Sequence, residues 1–221
     1  MMVSPASFID HTLLRVDATE QMIRQVCQEA LAFGFASVCV PPVYVPVAAD
    51  ILSGSAVAVG SVIGFPFGYT IPACKTFEAE RLVETGAREI DMVIDIPLAL
   101  EKRFEEIGEE TRQVVHASKG ALVKVILECC YLDNETKEIL TGMAIEAGAS
   151  FVKTSTGFGP GGATLEDVKL LVRTAAGRGG VKASGGIRTW DSCRSFLQAG
   201  ATRVGTSHGI AIMKEWQAEV G

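Results

Sequence analysis

Residues 147–154 read Ala147-Gly148-Ala149-Ser150-Phe151-Val152-Lys153-Thr154. A helical pattern stops at the glycine, and an apolar strand pattern starts three residues later. Glycine at that point supplies the left-handed conformation that closes a last helical turn. The same joint recurs at Phe33-Gly34-Phe35-Ala36 before Ser37-Val38-Cys39-Val40, and at Thr85-Gly86-Ala87 before Ile90 to Ile94. A fourth copy is Ala199-Gly200-Ala201 before Arg203-Val204-Gly205. One helix-to-strand joint used four times indicates a repeated unit rather than an irregular succession of elements.

Working outward, the segments before these joints carry apolar residues at three- and four-residue spacing. Met22, Ile23, Val26, Ala30 and Phe33 form one stripe, and Ile139, Leu140, Met143, Ala144 and Ala147 another. That spacing predicts helices burying one face. Asp133 can cap one helix start, and Thr164-Leu165-Glu166-Asp167 has the form of a capping box with Asp in place of Glu. Strands are predicted at Ser37–Val40, Ala56–Phe65, Ile90–Ile94, Ala121–Leu127, Phe151–Thr154, Val181–Ser184 and Arg203–Thr206, with a weaker eighth at Phe8–Asp10. Strands alternating with helices through short loops make right-handed βαβ units and a parallel sheet. Eight such strands favour closure into a (β/α)8 TIM barrel, an α/β fold filling a single domain over residues 1–221. An open doubly wound sheet is the rival, but it usually opens with a Gly-x-Gly-x-x-Gly turn after its first strand, and that motif is absent there.

Composition narrows the class of function. The chain has 221 residues, 48% hydrophobic and 21% charged, with a formal net charge of -6. A packed globular enzyme fits these values, and a disordered chain does not. A nucleic-acid partner is not expected, because phosphate backbones are met by a basic footprint. No apolar run approaches the roughly 18 residues of a membrane helix, and Met1–Leu14 lacks a basic segment followed by an apolar one, so a cytoplasmic protein without membrane association is expected. The six cysteines, Cys27, Cys39, Cys74, Cys129, Cys130 and Cys193, include no Cys-x-x-Cys pair and no ligand spacing with His11, His116 or His208. Reduced, mostly buried thiols are expected, and no metal.

In a barrel of this kind, chemistry gathers at the C-terminal strand ends. The polar residues there that packing does not explain are Asp10, Cys39, Asp91, Asp95, Lys124, Glu128, Lys153, Lys182 and the run Gly205-Thr206-Ser207. Three are lysines inside apolar strands: Val123-Lys124-Val125, Phe151-Val152-Lys153 and Val181-Lys182-Ala183. Any one of them could extend its ammonium to water or pair with a carboxylate. Three meeting at one barrel mouth suggest more, since burial and a neighbouring cation both depress a lysine pKa and yield a neutral amine able to attack a carbonyl. Asp91, followed by Met92, Val93 and Ile94, needs partners inside its strand; lysines would supply them, either as a salt bridge or to place Asp91 for proton relay through water. Glycines and small polar residues follow the late strands at Thr154 to Gly162, Ser184 to Arg188 and Gly205 to Gly209. Backbone N–H groups at such turns suit a phosphate, although glycine also serves tight turns for steric reasons alone. His116 falls on a helix surface, while His11 and His208 sit near strand ends as hydrogen-bonding neighbours. Cys129-Cys130 is packing or loop material, and Cys39 is placed to line a pocket.

Along nearly its whole length the sequence resembles the deoxyribose-phosphate aldolase family of class I, Schiff-base aldolases. The resemblance rests on Ile9-Asp10-His11-Thr12-Leu13-Leu14, Ser37–Val40, Val62–Pro66, Glu89–Val93, Lys124–Glu128, Phe151-Val152-Lys153-Thr154-Ser155-Thr156-Gly157-Phe158, Val181-Lys182-Ala183-Ser184-Gly185-Gly186-Ile187-Arg188 and Val204–Ser207. It implies reversible cleavage of 2-deoxy-D-ribose 5-phosphate to D-glyceraldehyde 3-phosphate and acetaldehyde, without metal or organic cofactor. It further implies that Lys153 forms the imine, Lys182 lowers its pKa, and Asp91 gives and takes protons. Asp10, Thr12, Cys39 and Lys124 would join the substrate site, with Gly157, Gly185, Gly186, Gly205 and Ser207 at the phosphate. A homodimer is also implied. Pro41, Asp95, Tyr69-Thr70-Ile71 and His208 depart from the family's pattern and bear on pocket shape rather than reaction class. With the chain ending soon after Trp216, where some relatives carry a longer catalytic tail, proton transfer is expected to fall more heavily on Asp91 and Lys182. The competing expectations are another barrel sugar-phosphate aldolase or isomerase, or a sensor that binds without turnover; only an imine-forming enzyme would be trapped by borohydride.

Overall fold

The structure, a computed structural model, describes residues 4–220. Eight parallel strands close into a barrel in chain order, β1 pairing with both β2 and β8. They are β1 Ile9–Thr12, β2 Ser37–Val40, β3 Ala58–Ile63, β4 Glu89–Val93, β5 Leu122–Ile126, β6 Phe151–Lys153, β7 Gly180–Ser184 and β8 Arg203–Thr206. Around them lie α1 Glu20–Phe33, α2 Val45–Ile51, α3 Pro72–Glu84, α4 Ile96–Leu100, α5 Phe104–Ala117, α6 Asn134–Glu146, α7 Leu165–Ala175, α8 Trp190–Gln198 and α9 Gly209–Val220. The closed barrel expected from the repeated joint is therefore present, and the open sheet is not. None of these helices is long and apolar enough to cross a membrane.

The joints work as their glycines suggest: Gly34, Gly86, Gly148 and Gly200 all have positive φ, at 67°, 114°, 97° and 101°. At the other helix ends, Asp133 accepts from Thr136 N, and Thr164 accepts from Asp167 N while donating to its carboxylate. Two local expectations shift. The first strand begins at Ile9, because Pro5–Phe8 forms a tight 3-10 turn, and it runs on to Thr12. Ile139 is exposed on α6, whose buried face is carried by Thr136, Leu140 and Ala144. Successive side chains of a strand point to opposite faces. Val38, Val40, Ile90, Met92, Val123, Val125, Val152, Val181, Ala183 and Val204 belong to the apolar layer under the helices, which leaves Asp10, Cys39, Glu89, Asp91, Lys124, Lys153, Lys182, Arg203 and Gly205 for the interior.

Candidate active site

Register brings the interior charges together. Asp91 lies opposite Lys124 across β4 and β5, and Lys153 opposite Lys182 across β6 and β7. Asp91 Oδ2 accepts from Lys153 Nζ at 2.8 Å and Lys182 Nζ at 2.7 Å, and its Oδ1 accepts from Lys124 Nζ at 2.9 Å. Below, Lys124 donates to Glu89 at 2.6 Å, and Arg203 bonds both Glu89 and Asp10, the latter at 2.9 Å. Asp10 Oδ2 is 2.6 Å from Lys182 Nζ in an ion-pair approach whose angle makes no hydrogen bond. Gly205, between Asp10 and Ser184 in the register, keeps room for this: a β-carbon there would stand 2.9 Å from Lys182 Cε.

This network contains four cations, Lys124, Lys153, Lys182 and Arg203, against three carboxylates, Asp10, Glu89 and Asp91. It is neutral when one lysine gives up its proton, and the local fields select which. Burial pushes the Lys153 pKa below its ordinary value, Asp91 opposes that, and the adjacent Lys182 cation reinforces it. For Lys124 and Lys182 burial acts in the same sense but is outweighed, by Asp10, Asp91 and Glu89 for Lys124 and by Asp10 and Asp91 for Lys182, so both stay cationic. Burial alone would raise the Asp91 carboxyl, yet Lys124, Lys153 and Lys182 hold it well below the usual carboxylate range. Lys153 is thus the lysine of the three whose proton is most easily lost.

Lys153 also opens onto a cavity of about 300 Å³ at the C-terminal mouth of the barrel. Thr12, Gly157, Gly185, Gly186, Gly205 and Ser207 line it. Gly157, Gly185 and Gly186 have φ of 87°, 92° and 83°, which leaves turns without side chains on the cavity wall. Ser207 and His208 stand directly before α9, so this part of the wall adjoins a helix N-terminus. The arrangement sets an amine of lowered pKa at one end and glycine turns beside a helix N-terminus at the other.

The structure corrects where some expected site residues act. Asp10, Lys124 and Cys39 do not form the cavity wall; they are buried in the barrel interior among the other charges. Burial pushes the Cys39 thiol up to about 11, so it is an un-ionised neighbour of the lysines. Asp95 caps α4 by accepting from Leu98 N at 3.0 Å and takes no part in the site. Asp91 and Lys182 likewise sit beneath the floor, reaching the cavity through Lys153. Sequence reasoning missed Glu89 and Arg203, although each lies two residues before an expected interior position, Asp91 and Gly205, and that parity was the available signal. It also missed Arg15 and Phe158 on the cavity wall, which loops rather than strand patterns deliver.

Comparison with known proteins agrees with this geometry. Residues 6–215 match the model of the DeoC/LacD family aldolase. A deoxyribose-phosphate aldolase of Syntrophotalea carbinolica is 52% identical over 98% of both chains, and one of Carboxydothermus hydrogenoformans is 52% identical over 95% of this chain and 93% of that one. The structure of the deoxyribose phosphate aldolase from Aeropyrum pernix, described as a unique tetramer, superposes with a TM-score of 0.91 at 37% identity, covering 97% of this chain and 92% of that one.

Proposed function

Because the chain belongs to the DeoC/LacD aldolase family, we propose that it reversibly cleaves 2-deoxy-D-ribose 5-phosphate to D-glyceraldehyde 3-phosphate and acetaldehyde through an imine on Lys153. The observation that carries the proposal is Lys153 itself: a lysine with a lowered pKa, hydrogen-bonded to Asp91, beside the cationic Lys182, and open to a cavity whose far rim suits phosphate.

Neutral Lys153 attacks the C1 aldehyde of the open-chain sugar, and loss of water gives a protonated imine. The imine takes up the electron pair of the breaking C2–C3 bond, while the C3 hydroxyl loses its proton and becomes the aldehyde of glyceraldehyde 3-phosphate. The resulting enamine is protonated at C2 and hydrolysed, releasing acetaldehyde and restoring the amine. Asp91 is ionised and held by three lysines, so in this scheme it exchanges protons with the reacting atoms through a water and through Lys182. Lys124, Asp10, Glu89 and Arg203 position that group from below. Gly157, Gly185, Gly186, Gly205 and Ser207 receive the phosphate end, and Thr12 borders the sugar. Cleavage in this scheme uses protein groups and water, with no metal or organic cofactor.

The reading extends to a cytoplasmic enzyme of small-molecule metabolism, assembled as a homodimer. Phe67, Tyr69, Ile71 and Phe77 are each exposed on the β3–α3 connection and α3, with the Phe67 and Tyr69 rings stacked, and apolar surface of this kind supports self-association. Native mass spectrometry would separate a dimer from a monomer or tetramer.

Intact-mass measurement after borohydride treatment, with acetaldehyde or 2-deoxyribose 5-phosphate present, tests the chemistry. A reduced adduct mapped to Lys153 is expected, together with loss of both adduct and at least about three orders of magnitude of turnover in Lys153→Leu. No adduct at saturating substrate would overturn the imine mechanism.

A further inference from the structure

Glu128, two residues beyond β5, is buried to 2% exposure and has φ 54°, ψ 61°. A side chain with a β-carbon is uncommon in that left-handed region and persists only where its surroundings over-determine it. Here the ladder continues on both sides of it: Leu127 N donates to Lys153 O at 2.9 Å, and Cys129 N to Thr154 O at 2.8 Å. The turned backbone between them sends the Glu128 carboxylate over the end of β6. Both of its oxygens accept from Thr156 N at 3.2 Å, and the Thr156 hydroxyl donates to Oε2. That same hydroxyl accepts from Phe158 N at 3.0 Å. From the β7 side, Ser184 Oγ donates to Ser155 O at 2.5 Å, and Thr154 Oγ1 exchanges hydrogen bonds with the Ser184 backbone. The loop after Lys153 is therefore held from β7 at Thr154 and Ser155, and from beyond β5 at Thr156, whose hydroxyl in turn takes the Phe158 N–H. No ion pair includes Glu128 among the described residues; burial pushes its carboxyl above the usual range, and the Thr156 hydrogen bonds and the field of Lys153 oppose that.

We infer that Glu128 is a positioning residue for the phosphate end of the cavity: through Thr156 it fixes the backbone that places Gly157 and Phe158 on the wall. The inference rests on the aldolase reading of that cavity. The hydrogen bonds run one way, from Phe158 N–H to the Thr156 hydroxyl and from there to the carboxylate, and an ionised acid completes that order. An amide at Glu128 would set an NH2 group either against the Thr156 N–H, donor facing donor, or against the Thr156 hydroxyl, whose own proton then loses its acceptor. Released from β5, the loop would lose its fixed Gly157, while Lys153, inside β6 and bonded to Asp91, would keep its place.

The test compares kinetics of Glu128→Gln on 2-deoxyribose 5-phosphate and on unphosphorylated 2-deoxyribose, with borohydride trapping of acetaldehyde alongside. The expected result is a rise of about tenfold in KM for the phosphorylated sugar, kcat within about threefold, and KM for the unphosphorylated sugar within about twofold. The adduct on Lys153 should still form. Thr156→Val should reproduce the pattern and Thr156→Ser should not, which carries the comparison if Glu128→Gln does not fold. Equal KM changes for both sugars, or a loss confined to kcat, would mean that Glu128 acts on the fold or the chemistry rather than on the phosphate end, and would overturn the inference. Wild-type protein that neither cleaves the phosphorylated sugar nor forms an adduct would bring down the aldolase reading, and this inference with it.

Discussion

At the residue scale, the three interior lysines are chemically the same and differ in what surrounds them. Lys124 has carboxylates on several sides, Lys182 lies between Asp10 and Asp91, and Lys153 has one carboxylate and a neighbouring cation. The side chain that faces the cavity is thus the one with the weakest hold on its proton. Removing the neighbouring charge should reverse that. In Lys182→Met the Lys153 pKa rises, a smaller fraction is neutral at any given pH, and the acidic limb of imine formation moves to higher pH by about 1–2 units. The pH dependence of borohydride-trapped adduct reads this directly; an unmoved limb would show that Lys182 does not tune Lys153.

At the element scale, the site depends on strands delivering side chains at matched heights, and β8 shows how tight the fit is. Gly205 stands beside Lys182 and Ser184, and a methyl group there would lie 2.9 Å from Lys182 Cε and 3.1 Å from Ser184 Cβ. Gly205→Ala should shift Lys182 off Asp91 and cost about 10- to 100-fold in kcat/KM, with about 1–3 kcal/mol of stability lost to overpacking. Steady-state kinetics beside urea denaturation would check both. Activity at the wild-type level would mean that the barrel interior relaxes around the methyl group. Helix ends behave more locally: Thr164 and Asp133 satisfy N–H groups of their own first turns, which is why they were readable from a four-residue pattern.

At the scale of the whole molecule, the charged interior makes stability depend on pH from both sides. Asp91 titrates well below its ordinary 3.8, so its contribution is present above the unfolded value and is lost as pH falls through the folded one. Lys124 and Lys182 titrate above their ordinary 10.5, so their contribution is present below that value and is lost as pH rises through the folded values. Lys153 runs the other way: its lowered pKa is a cost at low pH that is relieved as pH rises. The urea midpoint should therefore decline as pH falls below the 3.8 of an unfolded Asp and as it rises above the 10.5 of an unfolded Lys, with a gain on the way up to 10.5 where Lys153 sheds its proton. Asp91→Asn should lower the plateau by about 3–5 kcal/mol, since it leaves buried lysines uncompensated, and should shrink the acid-side decline. An unchanged acid limb in that variant would place the acid sensitivity elsewhere in the molecule.

The sequence by itself determined the repeated unit, the strand count and the inward-facing lysines, because these follow from local rules: a left-handed glycine ends a helix, a period of two sets the face of a strand, and eight alternating units close. It also carried the Lys153-Thr154-Ser155-Thr156-Gly157 and Lys182-Ala183-Ser184-Gly185-Gly186 runs on which the family resemblance rests. Only the tertiary structure decided depth and partnership. Asp91 meets Lys182 across 91 positions, and Arg203 meets Asp10 across 193. That Lys124 and Asp10 lie buried off the cavity wall, that Glu89 and Arg203 join them, and that Glu128 reaches Thr156 all follow from register around a closed barrel. A strand's own residues state which face they take, but the height at which they meet residues from the other strands is set only when the ring closes.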